Sequence, residues 1–362
     1  MATLYNVAST TKKILAVLSI GLLVFLVIKF VFLITDKLTN RLILRYSQET
    51  RGFGNLPSLY FQQMEGAAEI KPKFRIETRT GKLPSFPQVF NVYRLKQNEI
   101  DLSSEMFAKD VAKKFGFTGD PQKLSATVWL WEESEKTLEF NLQTKHFSYK
   151  NRNAKTIEKK EDTYVNENSY LLDRFLKEIG YNIPNSMTYT VTYQRKNGDK
   201  WEDVIENTAE WVRIDANIFL YYAQGAQGQI VSPTYRPSLV YVIVQNSSNS
   251  TIDNIAEMEY YMWSVEENTV QTYNAIPIFT AYEQLQKGMG VLVNAKYTAK
   301  NGVPNLSDIE EVRITDVKVG YFLSKSNLLY AQPIYIFYGV YGEGNNRCEL
   351  IYYTNAIFGS YD

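Results

Sequence analysis

Two residues of this sequence could take part in nucleophilic or general base catalysis, because the chain contains one histidine, His146, and one cysteine, Cys348. His146 lies in the segment QTKHFSYK, which alternates as a strand does and offers no nucleophile beside the ring. We therefore expect a histidine on the surface of a strand. Cys348 follows the basic Arg347 but has no histidine near it, so we expect a buried or edge thiol. The same counts exclude an intrachain disulfide and, in a monomer, a zinc site built from four cysteines or from two cysteines and two histidines.

Carboxylates are the next candidates, as metal ligands or as acids and bases. They cluster in two places, at Asp308, Glu310 and Glu311 and at Glu132, Glu133 and Glu135. Neither cluster has the spacing of an EF-hand calcium loop, so we expect a solvated turn and a hairpin tip. The P-loop, dinucleotide-binding, HExxH and GxSxG motifs are also missing from the sequence. We therefore predict a protein that is not an enzyme and holds neither a metal ion nor a cofactor.

Aromatic side chains make up 14% of the sequence, which includes 27 tyrosines. A candidate ligand platform is formed by three adjacent pairs: Tyr221 and Tyr222, Tyr260 and Tyr261, and Tyr352 and Tyr353. Neighbouring residues of a strand face opposite sides, so one ring of each pair would be exposed when the other is in the core. Such rings could bind a glycan or a peptide. The alternative is that tyrosine is frequent because the fold is rich in strands.

Charge and composition limit the function classes. Lys+Arg and Asp+Glu number 39 each, so the chain lacks the basic excess that is typical of nucleic-acid binders. With 45% hydrophobic and 22% charged residues the composition is globular, and the length suggests two or three domains.

An apolar segment near the N-terminus predicts a membrane anchor. Residues 14–34 read ILAVLSIGLLVFLVIKFVFLI, and Lys29 is the one charged residue among them. Such a run is long enough to span the ~30 Å hydrocarbon core and longer than the apolar part of a signal peptide. We predict a tail over 1–13, a transmembrane helix over 14–35, and a juxtamembrane helix extension and linker over 36–70.

Three basic residues of this region, Lys29, Arg41 and Arg45, are candidate contacts to a partner protein in the membrane. Lys29 lies near one end of the apolar run, so its ammonium could instead reach the lipid headgroups. Both explanations stay open. Positive charges flank both ends of the run, and their count favours a cytoplasmic body, whereas the Asn, Ser, Thr and Tyr content of the body favours export.

The sequence that follows residue 70 predicts short helices among strands. Helices are expected over about 105–115, with Ser104 as the N-cap, over 170–179, and over 281–286, with Thr280 as the N-cap. Strands are expected over 74–80, 88–95, 126–132, 137–143 and 145–150. The dipeptide Asn197-Gly198 predicts a two-residue hairpin turn between two further strands. The charged stretch 158–169 is the expected domain boundary, between an α+β domain at 71–160 and a second region at 166–362.

An internal repeat is visible in this second region. WVRIDANIFLYY begins at 211 and EVRITDVKVGYF at 311, an apolar strand follows each, and Asn-Ala-Ile closes both copies. This order predicts repeat units at about 169–279 and 280–362, each with a helix on an antiparallel sheet. The expected fold class is therefore α+β: a single N-terminal transmembrane helix, then repeated helix-plus-sheet units.

The C-terminal unit resembles the YycH/YycI group of membrane-anchored regulators and related PepSY-like domains. The segments that carry the resemblance are TAYEQLQKGMG at 280, ITDVKVGYF at 314, YAQPIYIFYG at 330 and YYTNAIFGS at 352. The resemblance implies one N-terminal anchor, an extracytoplasmic body and regulation of an envelope-sensing histidine kinase.

Together these observations predict a single-pass protein of the cell membrane with an extracytoplasmic body. We expect a non-enzymatic scaffold or regulatory subunit that contacts membrane lipid and a membrane or envelope protein, and that does not bind nucleic acid. The alternative is a cell-surface module that binds a glycan or a peptide through the tyrosine pairs.

Overall fold

A computed structural model gives the structure of the chain, and it describes residues 21–30, 49–67, 71–96, 98–154, 170–182, 187–198, 200–247, 249–298, 302–325, 329–358 and 360–361. The chain divides into two compact units, Met1–Gln48 and Glu49–Asp362. The described residues of the first unit, 21–30, form helix α1. The other elements named below belong to the second unit.

The predicted transmembrane helix over 14–35 is contradicted by the structure. None of the helices in the described ranges is both long enough and apolar enough to cross a membrane. Lys29 lies in helix α1 with its ammonium 5.9 Å from the centre of the Phe25 ring. Arg41, Arg45 and the predicted helix extension lie outside the described residues.

The second unit consists mainly of strands. Its helices are α2 (Leu102–Lys114), α3 (Leu171–Glu178) and α4 (Ile278–Gln286). Its strands are β1 (Leu56–Pro57), β2 (Lys73–Ile76), β3 (Val89–Arg94), β4 (Gln122–Lys123), β5 (Val128–Glu133), β6 (Lys136–Asn141), β7 (Phe147–Asn151), β8 (Thr188–Asn197), β9 (Lys200–Asp203), β10 (Trp211–Asn217), β11 (Phe219–Ala223), β12 (Ala226–Val231), β13 (Val240–Gln245), β14 (Ile255–Tyr260), β15 (Gln271–Asn274), β16 (Val291–Tyr297), β17 (Glu311–Phe322), β18 (Tyr330–Tyr341), β19 (Cys348–Asn355) and β20 (Ser360–Tyr361). The prediction of an α+β class was wrong, since the fold is mostly β.

Two nine-stranded sheets hold most of these strands. Sheet A has the order β4-β5-β6-β7-β14-β13-β10-β8-β9. Sheet B has the order β11-β12-β17-β18-β19-β16, and β2, β3 and β15 are attached to it. Strands β2 and β12 pair in parallel with opposite ends of β17, while β1 and β20 form a separate pair.

Sheet A is joined at its centre by the antiparallel pair β7 and β14, in which Phe147 lies opposite Tyr260 and Lys150 opposite Glu257. One half of the sheet, β4 to β7, follows α2 in the chain, and the other half follows α3. The regions predicted as two domains therefore both contribute strands to one sheet. The stretch predicted as their boundary, 158–169, lies outside the described residues.

Helices α2 and α3 cover the same face of sheet A, where the alternation of its strands places most of the apolar core residues. On β10 these residues are Val212, Ile214 and Ala216, which share a buried core with Phe115 and Phe175. The opposite side of the sheet carries the polar residues of the same strands and a smaller buried apolar cluster.

The predicted helix caps were both wrong. Helix α2 starts after Asp101, whose carboxylate accepts a hydrogen bond from the backbone N–H of Ser104 at 2.8 Å. The hydroxyls of Ser103 and Ser104 also donate to it, and these bonds lower the pKa of Asp101 to about 2. A carboxylate placed three residues before the N–H is the better acceptor, so the helix begins earlier than predicted. Helix α4 follows Pro277, before the expected cap.

Sheet B is buried on both faces along its central strands. Helix α4 packs against one face, where Leu350 and Tyr352 of β19 join its core. The alternate residues of β19, Ile351 and Tyr353, lie in a separate apolar cluster on the other face. Phe61 packs edge-on against Tyr353 there, with ring centres 5.6 Å apart.

The prediction of repeated helix-plus-sheet units was also wrong. The two sequence repeats fall in different sheets, with β10 in sheet A and β17 in sheet B. Their strand orders differ as well, because β8 pairs with β10, whereas its counterpart β16 pairs with β19 at the far side of the meander. The similarity in sequence extends to the antiparallel pairs β10–β13 and β17–β18.

The parallel contact between β12 and β17 leaves no room for a side chain at Gly228. A Cβ atom there would lie 2.7 Å from the backbone oxygen of Val319, which cannot move without disturbing the strand. We expect Gly228→Ala to lower the free energy of unfolding by about 1–3 kcal/mol in urea denaturation. Gly119→Ala is the control, since its Cβ would meet its nearest atom at an ordinary 3.4 Å. Equal denaturation midpoints for the two variants would contradict this packing.

Candidate functional site

The side of sheet A that is turned away from α2 and α3 is called the polar face below. On β10 it carries Trp211, Arg213 and Asp215, the residues that alternate with the buried Val212 and Ile214. Because every strand of sheet A alternates in this way, charged side chains of separate strands come to lie side by side.

The strand register arranges these side chains in two rows. The first row runs Glu132, Thr137, Lys150, Glu257, Ile243, Arg213 and Thr192. The second row runs Leu130, Glu139, Ser148, Glu259, Tyr241, Asp215 and Thr190. Charge alternates in sign along the first row, whereas the charged members of the second row are all acids.

Asp215 is fully buried in the second row and two arginines surround it. Its Oδ2 accepts from Nε of Arg213 at 2.9 Å and lies 3.7 Å from Nη1 of Arg236. Its Oδ1 accepts from the backbone N–H of Ser238 at 2.7 Å. Arg236 also donates from Nη2 to the hydroxyl of Thr190 at 3.0 Å. A buried carboxylate needs such partners, and here they hold the group in one place.

Glu257 and Glu259 lie two residues apart on β14, and both face the polar side. Glu257 accepts from the indole N–H of Trp201 at 2.9 Å and from the hydroxyl of Tyr241 at 3.4 Å. Glu259 forms an ion pair with Lys325 at 2.6 Å and accepts from the hydroxyl of Ser148 at 3.4 Å. Each carboxylate is therefore occupied by donors.

Tyr241 lies between these glutamates and Asp215. Burial raises the pKa of its hydroxyl, and the neighbouring charges of Glu259 and Glu257 raise it further. The ring therefore stays neutral and donates its hydrogen bond throughout the physiological pH range.

The contact of Trp201 shows that the β8–β9 hairpin folds over the polar face. Trp201 is on β9, at the outer edge of sheet A, and three strands separate it from β14. On a flat sheet this separation would be ~19 Å, so its hydrogen bond to Glu257 requires the hairpin to curl inward. The indole packs edge-on against Trp211, with ring centres 5.7 Å apart. The predicted hairpin is confirmed, but its turn begins one residue later than predicted, since Asn197 pairs with Lys200 as the last residue of β8 and Gly198 has a positive φ of 60°.

The tyrosine pairs do not form one platform. Tyr352 and Tyr353 are both buried, because β19 is covered on each side, and the hydroxyl of Tyr353 donates to the carbonyl of Ser232. Tyr221 is 52% exposed, whereas its neighbour Tyr222 is half-buried against Phe90.

The third pair, Tyr260 and Tyr261, is half-buried on both sides of sheet A. Tyr260 packs against Tyr181, with ring centres 4.2 Å apart. Tyr261 lies under the ammonium of Lys325, which is 4.8 Å from its ring centre. Of the six rings, only that of Tyr221 faces solvent freely.

His146 is buried, which corrects the prediction of a strand-surface histidine. Its ring meets Trp263 edge-on at 4.5 Å, and its Nε2 lies 3.2 Å from the carbonyl of Met262. Burial lowers the pKa of His146 to about 4. A neutral ring whose hydrogen bond goes to a backbone carbonyl fits a structural role better than that of a base.

The remaining candidates give no catalytic or metal site in the described residues. Cys348 is buried, which agrees with one of the two environments expected for it. No group of three or more metal-ligating side chains is found in the ranges described above. Glu310 and Glu311 line a shallow groove together with Lys71 and Lys73, so lysines face these acids. At the tip of the β5–β6 hairpin, Glu133 accepts from the backbone of Gly119 and Thr118, which lowers its pKa.

The residues of the polar face are not among the candidates predicted from the sequence. One signal was present, since WVRID at 211 and AEMEY at 256 alternate charged and apolar residues. This alternation shows that Arg213 and Asp215 share a face, and likewise Glu257 and Glu259. It does not show that the two segments lie in one sheet, because that depends on long-range pairing.

No protein-family model matches the chain, and no curated protein matches it. Among solved structures, the chain is similar to an uncharacterized protein from Eubacterium rectale ATCC 33656, with a TM-score of 0.40 and 10% sequence identity. The alignment covers 80% of this chain and 88% of the other. A likeness at this level carries no argument about function, and the resemblance to the YycH/YycI group stays a prediction.

The buried His146 predicts a loss of stability in mild acid. Its pKa falls from 6.5 in the unfolded chain to about 4 in the fold, so protons bind the unfolded state first. We expect the free energy of unfolding to fall by about 2 kcal/mol between pH 7 and pH 5.

Urea denaturation at a series of pH values measures this loss. His146→Phe keeps an aromatic ring beside Trp263 and removes the titration, so its stability should change less over the same interval. His146 is the one histidine of the chain, so no other histidine contributes to the difference. The same slope in both proteins would show that His146 is not buried as described.

Proposed function

We propose that the chain is a non-enzymatic binding protein that acts through contact with a partner protein, as a scaffold or a regulatory subunit does. The observation that carries this proposal is the polar face, with its two rows of charge on a backbone fixed by pairing. Charges held in a fixed pattern give specificity and fast association with a complementary surface. The carboxylates of Asp215, Glu257 and Glu259 are each occupied by donors, which leaves none of them as a free acid or base.

The accessible end of the polar face indicates the chemistry of the partner. On β5 and β6 its charged side chains are Glu132 and Glu139, and both are exposed. Lys150 of β7 is the exposed basic residue next to them. We therefore expect the partner to place basic side chains against β5 and β6.

The alternative of a glycan- or peptide-binding module receives less support. It depended on exposed tyrosines, and Tyr221 alone among the six is exposed. Regulation of an envelope-sensing kinase, which the family resemblance implies, stays a prediction.

Charge reversal on the polar face tests the proposal. A partner would first be recovered by crosslinking the full chain in its native cells and then purified. The double variant Glu132→Lys, Glu139→Lys should bind it roughly tenfold more weakly, and the loss should shrink as salt is added. Titration calorimetry or surface plasmon resonance measures the dissociation constant.

The matched control is Asp110→Lys, Glu178→Lys, which makes the same charge change on exposed positions of α2 and α3. These helices cover the opposite side of sheet A, so the control should bind as the wild type does. If both double variants bind the partner equally well, the polar face is not the contact surface.

A further inference from the structure

Arg213 and Arg236 share a single carboxylate, which leaves donors of both side chains unused. Arg213 donates a hydrogen bond from Nε to Asp215, and its two terminal nitrogens make no hydrogen bond to a described residue. Nη1 of Arg236 is buried and has no hydrogen-bond partner in the described structure, because 3.7 Å to Asp215 is too long for one. A guanidinium carries five N–H donors in a rigid fork, so most of this donor capacity is free.

The local charge is also unbalanced. Two guanidinium groups contact one carboxylate, which gives a net charge of about +1 by the usual protonation states. The nearest acid in the same row as Arg213 is Glu257, which lies beyond Ile243 and is held by Trp201. On the side of sheet B, Asp316 is paired with Lys318 at 3.6 Å.

Solvent can reach this cluster. The side chains of Arg213 and Arg236 are 16% and 22% exposed, while Asp215 beneath them is fully buried. Thr190 and Thr192 of β8 lie opposite Asp215 and Arg213 in the register. The hydroxyl of Thr190 already accepts from Arg236 and from Asn217, so its own hydrogen is left to donate.

We propose that Arg213 and Arg236 form a binding site for a small oxyanion, a carboxylate or a phosphate group, at the β8–β10 end of the polar face. Guanidinium groups match the paired oxygens of both anions, and partial burial strengthens the contact. The threonine hydroxyls supply further donors, and Asp215 fixes the two arginines while it competes with the ligand for them. This site goes beyond the proposed protein contact, because it can bind a free anion with no partner present.

Titration of the full chain with sodium phosphate, and separately with sodium acetate, tests the site. Sodium chloride keeps the ionic strength constant, and the rise in melting temperature or the heat of binding is measured. Binding of phosphate, of acetate or of both supports the site and assigns its ligand. If neither anion has an effect above that of chloride, the proposal is overturned.

The proposed site predicts opposite changes in anion affinity for two variants. Asp215→Asn keeps an acceptor for the N–H of Ser238 but removes the competing charge, so it should bind the anion about tenfold more tightly. Arg213→Lys keeps the charge but loses the fork, so it should bind about tenfold more weakly. A purely structural ion pair would give no anion binding in either variant.

Chemical modification of the wild type gives a readout that does not depend on the folding of a variant. Phenylglyoxal reacts with arginine side chains, and mass spectrometry maps the modified positions. Bound phosphate or acetate should slow modification of Arg213 and Arg236 at least threefold. Arg152, whose side chain is 80% exposed, is the internal control and should react at an unchanged rate. If added anion leaves the modification rate of Arg213 and of Arg236 unchanged, as it does that of Arg152, the proposed site is contradicted.

Discussion

The pairing of β7 with β14 is the contact on which the polar face depends. These strands are about a hundred residues apart in the chain, and their register places Ser148 opposite Glu259 and Lys150 opposite Glu257. A shift by one residue would turn the charges of one half of sheet A toward α2 or α3 and the apolar residues toward solvent. The core formed with Phe147 and Tyr149 therefore fixes the positions of the charged rows as well.

In both sheets, the elements packed on a face decide which kinds of side chain that face carries. Sheet B has apolar residues on both sides, so its tyrosines pack in the core and their hydroxyls bind the backbone of neighbouring segments. Tyr335, for example, donates to the carbonyl of Ile276, and Tyr321 to that of Asn91. Sheet A has its helices on one side, so the other side accommodates buried ion pairs. The buried pairs cost desolvation, which is offset only when each charge has several partners, as Asp215 does.

Local elements could be predicted from the sequence, and long-range ones could not. The β8–β9 hairpin and helix α3 follow from signals within about ten residues, and the structure contains both. The predicted cap of α2 was wrong because Asp101 and Ser104 are both good cap residues, and the choice between them depends on which N–H groups each can reach. The prediction of repeated units was wrong because tertiary packing decides which strands are neighbours. Strand β8 pairs with the first strand of its meander, β10, whereas β16 pairs with the last strand of its own, β19.

For the polar face, the sequence shows which residues of one strand share a side but not which strands are neighbours. The dipeptide Asn197-Gly198 predicts the β8–β9 hairpin, but no local pattern predicts the inward curl that brings Trp201 to Glu257. A disulfide across β7 and β14 tests the arrangement most directly, in a Cys348→Ala background. Ser148→Cys with Glu259→Cys should form a disulfide under mild oxidation, since directly opposite residues have Cβ atoms ~4.5–5.5 Å apart. Ser148→Cys with Tyr260→Cys places the thiols on opposite faces and should stay reduced, whereas preferential oxidation of that second pair would contradict the register and with it the polar face.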